Sequence, residues 1–150
     1  MGVRRARAED VPQLLVLVRR YREFEGIGGF EALRMELLLQ ELIVRPGERG
    51  WVVVAEAQGA LTGYLVMVLM MSLEHQGLMA EIDEFFVLPE ARGGGTGTQL
   101  LARAEAELRQ RGCVRLQLQL ASRNTRARSF YERHGFAARA GYGLLDKALK

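Results

Sequence analysis

The chain has a single cysteine, Cys113, so no internal disulfide can staple it. That usage is compatible with a reducing cytoplasm, and a cytoplasmic location is the expectation. It has only two histidines, His75 and His134, which have no metal-ligand partners at useful spacing, so no metal site is expected. No apolar run reaches the roughly 18 residues of a membrane span. The longest, Leu61 to Leu73, is interrupted by Gly63, Tyr64 and Ser72. The basic start, Met1 to Arg5, is not followed by an apolar secretory segment, so no signal peptide is read. Lysine is nearly absent: apart from Lys147 and Lys150, every side-chain cation except histidine is arginine. Net charge is only +3 and aromatics make up 7%, too little basic and stacking character for a nucleic-acid binder.

What remains is 150 residues with 49% hydrophobic content. That suits one globular domain over residues 1–150 with a real core. Charge is unevenly placed. Acids Glu81, Asp83 and Glu84 precede a glycine run, whereas Arg115, Arg123, Arg126, Arg128, Arg133 and Arg139 follow it. Such asymmetry suits an anionic ligand on one side of a site and a cationic one on the other.

Val3 to Ala6 reads as a short strand. Glu9-Asp10-Val11-Pro12 reads as a helix start, with acids and proline in the first turn. Leu14, Leu15, Val18 and Tyr21 form that helix's apolar face, and Gly26-Ile27-Gly28-Gly29 ends it. A second helix is predicted over Phe30 to Ile43 with Leu33, Leu37 and Leu38 inward. Strands follow over Trp51–Ala57, Leu61–Met71 and Ala80–Leu88, joined by turns at Gln58-Gly59 and His75-Gln76-Gly77. A helix from Gln99 to Arg111 closes at Gly112. Val114 to Leu120 alternates as a strand with one buried face, Asn124 to Arg133 is a short helix, and Phe136 to Leu149 has room for two more strands around Gly141. The reading is a mixed α/β domain on one central sheet.

The most informative stretch is Arg92-Gly93-Gly94-Gly95-Thr96-Gly97-Thr98, between a strand and a helix. Glycines let a ligand approach the backbone closely, and the helix start presents N–H groups and a positive dipole end. This is an anion cradle, most naturally for a pyrophosphate. A dinucleotide loop lacks its third glycine here, and a nucleoside-triphosphate loop lacks its lysine.

The segment Ile82 to Gly97, with its Arg92-x-x-Gly95-x-Gly97 spacing, resembles the acetyl-CoA strand and loop of the GNAT superfamily of N-acetyltransferases. The later run, Asn124 followed by Ser129-Phe130-Tyr131-Glu132-Arg133-His134-Gly135-Phe136, is similar to that family's second motif. The resemblance implies a GNAT-like sheet of about six or seven strands flanked by about four helices. It implies acetyl-CoA as donor, a primary amine as acceptor, and allows a homodimer.

The resemblance also implies roles. Gly93, Gly94, Gly95, Thr96, Gly97 and Thr98, with Arg92, would cradle the pyrophosphate. Phe85, Phe86 and Val87 would pair with the pantetheine amides as an added strand does. The N–H near Val87 would polarise the thioester carbonyl. Asn124 would hold the pantetheine arm, and Tyr131 would protonate the departing thiolate. The base falls to Asp83 or Glu81 on the strand, directly or through water. Regular alternation puts them on one face with Phe85 and Val87, and Ile82, Glu84 and Phe86 on the other. Glu84 is a reserve if a bulge switches the face. Gln119 stands where some relatives carry a glutamate base and cannot serve as one. Glu23, Glu25 and Glu31 flank the glycine-rich break Gly26 to Gly29 between the first two helices; in the family those helices frame the acceptor pocket, and acids there suit a small cationic amine. A protein or peptide acceptor, or a CoA-binding module without turnover, remains the alternative.

Overall fold

The computed structural model describes residues Met1–Lys150. Gln58 and Gly59 both take positive φ, 52° and 78°. That is the mirror-image two-residue turn whose twist matches paired strands. It folds β2 (Gly50–Ala57) onto β3 (Ala60–Ser72). A second turn, in which the Ser72 hydroxyl accepts the His75 N–H at 3.1 Å, returns the chain as β4 (Gly77–Val87). β1 (Gly2–Arg5) adds antiparallel to the outer edge of β2. A parallel neighbour needs a crossover. Here α3 (Thr96–Gln110) supplies it and delivers β5 (Arg115–Leu118) parallel to β4. The sheet order is β1-β2-β3-β4-β5.

α1 (Val11–Glu25) and α2 (Ala32–Val44) cover one face of the sheet. Leu14, Leu17 and Val18 of α1 and Leu39 of α2 bury against Val52, Val54, Tyr64, Val66 and Phe86. The intervening strand residues face α3. A Cβ on Gly63, for example, would lie 3.2 Å from Leu100 of α3. No helix is long and apolar enough to cross a membrane.

Two compact units divide the chain, Met1–Leu118 and Gln119–Lys150. The first holds the sheet with α1 to α3. The second holds α4 (Thr125–Arg133) and the residues after it.

Two expectations need correction. The sheet has five strands, not six or seven, and residues 136–149 form none. Alanines 137, 138 and 140 are poor strand formers, Gly141 takes φ 84°, and an isolated two-stranded hairpin is marginal in water. In α2, Leu33, Leu37 and Leu38 point outward, and Leu39 is the residue driven into the core. That helix is apolar on most sides, so periodicity alone could not orient it.

Asp10 ties the chain start to the sheet. Buried to 4% exposure, it accepts two bonds from Arg4 at 2.7 and 3.0 Å and one from the Arg7 N–H at 2.7 Å. Arg4 first, then the Arg7 N–H, hold its carboxyl below the usual range against the opposing effect of burial. Because the folded pKa lies below the unfolded one, this stabilisation is present above the ordinary carboxylate pKa and fades as pH falls. Asp10→Asn is expected to cost about 2 kcal/mol at pH 7, since Arg4 keeps Glu56 as a second partner. Chemical denaturation at pH 7 and pH 3 checks it: the gap between variant and wild type should narrow at the lower pH.

Candidate active site

The glycine turn follows directly from local sequence. Pro89 closes β4 into a single helical turn at Pro89–Ala91, and Gly93 and Gly95 then take φ 88° and 83°, a region that excludes most side chains. Gly95 is the N-cap of α3 and provides no side-chain cap. Glycine at the N-cap leaves this helix start without the cap side chain that would otherwise stand where an anion binds. A Cβ built on Gly93, Gly94 or Gly95 would meet nothing within 4 Å. The fold itself therefore does not fill the space immediately beside these glycines. The residues present thus fit a pyrophosphate.

Arg92 has a different posture from the glycines. Its Nε donates to the Val87 carbonyl at 2.9 Å, and its guanidinium lies over Phe24 and Phe86 at 5.3 and 5.6 Å. With the Arg20–Glu90 ion pair at 3.0 Å, it braces the loop against α1 and the end of β4. The side chain is folded toward the strand.

β4 continues beyond its ladder with β5. Pairing with β5 ends at Ile82↔Leu118, whereas β4 runs on to Val87 and remains paired to β3 along its other edge. Phe85, Phe86 and Val87 lie in that extension. The Phe86 side chain is core, in ring contact with Tyr21, Phe24 and Tyr64. Phe85 and Val87 take the α3 side.

A β-bulge resets the strand. Val66 pairs with Glu84 and Met67 with Ile82, so Asp83 is the extra residue. Regular alternation predicted Glu84 on the opposite face from Glu81 and Asp83. Counting through the bulge instead puts Glu81, Asp83, Glu84 and Phe86 on the α1 side, and Ile82, Phe85 and Val87 on the α3 side. Three carboxylates are thereby brought to one face.

Their environments differ. Glu81 accepts from Gln117 Nε2 at 2.9 Å on an exposed stretch. Glu84 is half-buried and accepts the Tyr64 hydroxyl at Oε1, 2.9 Å away. Burial chiefly, with Asp83's charge adding, pushes the Glu84 carboxyl up, while Tyr64 and Arg22 oppose this. The packed protein and then Glu81 push Asp83 up. Burial, then the charges of Glu84, Glu25 and Asp83, raises Tyr21 to about 12. Tyr64, Tyr21 and Arg22 escaped sequence reasoning. The acidic pair Asp83-Glu84 inside an apolar strand was the available signal, because a bulge is how such a pair shares a face.

In the second unit, the motif residues are held by helix-end chemistry. Asn124 is the N-cap of α4, its Oδ1 accepting the Ala127 N–H at 3.1 Å. The cap engages the amide oxygen and leaves the NH2 as the donor side of the group. At the other end Gly135 takes φ 90°, Phe136 N–H reaches the Tyr131 carbonyl at 3.0 Å and Gly135 N–H the Glu132 carbonyl at 3.1 Å. This is the glycine-closed helix end in which an apolar contact spans the closure. The contact is Tyr131 against Phe136, rings 5.4 Å apart, with Phe130 edge-on at 5.5 Å. The Gly-Phe pair therefore fixes the Tyr131 ring.

Fold and site define an α/β protein with an anion-receptive glycine turn at the end of a strand that outruns its parallel neighbour. Residues 15–136 match the model of the acetyltransferase (GNAT) family. The chain is 29% identical over 147 residues to an uncharacterized N-acetyltransferase of Bacillus subtilis, covering 95% of this chain and 93% of that one. It is 32% identical over 140 residues to the aminoalkylphosphonate N-acetyltransferase of Salmonella typhimurium, covering 87% and 90%. Among solved structures, an integron cassette protein from a salt-marsh metagenome superposes with TM-score 0.86 at 28% identity, covering 99% of this chain and 90% of that one. The chain belongs to the GNAT family and is an N-acetyltransferase; the family's donor is acetyl-CoA.

Proposed function

We propose that residues 1–150 act as one domain that moves an acetyl group from acetyl-CoA to the primary amine of a small cationic molecule by direct attack. The carrying observation is the bulge in β4, which brings Glu81, Asp83 and Glu84 to one face of the sheet, with Asp83 and Glu84 near enough to Tyr21 of α1 to act on it by their charge. A line of carboxylates attracts an ammonium group and supplies sites for its proton. The relatives' names support a small-molecule amine as acceptor, though not its net charge: one is named for aminoalkylphosphonates, which carry an anionic phosphonate, and another, from mouse, for thialysine.

Bound acetyl-CoA supplies an acetyl group activated as a thioester. Gly93 to Thr98 would hold its pyrophosphate and the β4 extension at Phe85–Val87 its pantetheine arm, and Asn124 would donate to the same arm. The N–H near Val87 would be the donor to the carbonyl oxygen as negative charge develops on it. Asp83 and Glu81 stand as proton acceptors for the amine, which needs one because its ammonium form has a pKa near 10.4. Tyr131 holds the proton that the sulfur needs, as a phenol near 10 can. Burial pushes the Cys113 thiol up, which disfavours the thiolate a covalent route would require.

Two measurements test this. CoA should raise the melting temperature by several degrees at about 100-fold excess over its dissociation constant, and NAD and ATP should not. Thiol release from acetyl-CoA, screened across small amines and peptides, identifies the acceptor. Response to peptides alone would replace the small-molecule reading by protein acetylation. Binding of CoA with no thiol release at all would leave a binding module.

A further inference from the structure

We infer that Tyr64 is a positioning residue for the reaction, and that the carboxylate it holds, Glu84, is the one that takes the acceptor amine's proton. The inference rests on the acetyl-transfer reading above, and moves the proton-accepting role which that reading gives Asp83 and Glu81 to the third carboxylate of the same face, Glu84.

The argument begins with the tyrosine. Tyr64 is fully buried in the sheet centre, with its ring 6.4 Å from Phe86. A phenol in that position needs a partner for its hydroxyl. It finds Glu84 Oε1 at 2.9 Å. Burial, then the charge of Glu84, raises the Tyr64 phenol well above its ordinary range, so it stays protonated and donates, and an ionised carboxylate is its strongest acceptor. The bond therefore fixes one Glu84 oxygen, Oε1, and with it the position of the carboxylate, leaving the second oxygen as the one to take a proton. Neither companion is held in that way. Glu81 is engaged by Gln117 on an exposed stretch, and Asp83 is the unpaired residue of the bulge.

The surroundings of Glu84 complete the case. Tyr64 faces it from β3, Tyr21 and Arg22 from α1, and Asp83 from its own strand. Burial and Asp83 raise its affinity for a proton; Tyr64 and Arg22 moderate the rise. A carboxylate raised in this way is a better base toward an ammonium than an exposed one. Proton balance follows. The nitrogen gives up two protons as its bond to the acetyl carbon forms and the carbon–sulfur bond breaks with its electron pair going to sulfur. Glu84 accepts one and returns it to solvent. The other replaces the proton that Tyr131 gives to sulfur.

The test is the acidic limb of kcat/KM for the amine, with the titration of Glu84 followed in parallel by carboxyl carbon NMR. Tyr64→Phe removes only the hydroxyl that holds Glu84's pKa down. The limb and the NMR titration should both move up by about one pH unit, the size of one hydrogen bond to a charged group. Affinity for acetyl-CoA should stay unchanged. Glu84→Gln, which keeps an acceptor for Tyr64 and so preserves the core, should abolish the limb and lower turnover at least tenfold. Site-specific fluorotyrosine at position 64, a stronger donor, should move the limb down, and provides the same reading should Tyr64→Phe fail to fold. An active wild type whose limb ignores these changes overturns the inference alone. A wild type that releases no thiol with any amine overturns the acetyl-transfer reading as well.

Discussion

Tyr131→Phe is expected to lower turnover by about a hundredfold or more while leaving acetyl-CoA affinity unchanged. General acid catalysis contributes about 10²- to 10⁴-fold, and the variant removes the acid without removing the ring. The ring is what the helix end uses: it packs against Phe130 and Phe136 and spans the Gly135 closure. The variant should therefore fold normally, with an unchanged melting temperature. Steady-state rates at a pH where chemistry limits, paired with a CoA titration, make the check. An unaltered rate would mean that Tyr131 serves packing only.

Gly50→Ala is expected to be the most damaging single methyl in the sheet. Gly50 opens β2 at φ 153°, paired with Val68. A Cβ there would lie 1.9 Å from the Met67 carbonyl oxygen and 2.9 Å from the Val68 Cα. Both are backbone atoms of β3, so the clash cannot be relieved by a rotamer and the β2–β3 ladder must shift. The cost should reach about 3 kcal/mol, roughly a 10 °C fall in melting temperature for a chain of this size. Gly59→Ala is the control. Gly59 also has positive φ, but its Cβ would meet open space, so only the backbone strain of about 1 kcal/mol applies.

Much of this molecule could be read from local pattern. β2, β3 and α3 announce themselves by β-branched runs, a two-residue turn and a glycine-punctuated helix, and each appears within a few residues of its expected ends. The glycine loop was legible because φ > 0 and ligand access both demand glycine. What failed depended on tertiary partners. The apolar surface of α2 offers several inward faces, and only the sheet beneath it selects Leu39. Strands after Phe136 could be proposed from Gly141 alone, but a strand exists only where another pairs with it. The site was half legible. Asp83 and Glu81 could be named from their residue type, but the face of Glu84 depends on a bulge that no periodicity displays. Tyr64, hidden in an apolar strand, gave no sign that its hydroxyl would be used.

The bulge carries one more implication. Asp83 is supernumerary to the ladder: the pairs Met67↔Ile82 and Val66↔Glu84 close up on either side of it without its help. Elsewhere in β4 a side chain must answer to the sheet, through a cross-strand neighbour or a helix above. Position 83 answers to neither in the same degree. It is a slot where acid, hydroxyl or apolar group could be exchanged with the sheet indifferent to the choice. If the face beside it is the acceptor face proposed above, a lineage with such a slot can change the molecules it modifies without rebuilding the scaffold that modifies them.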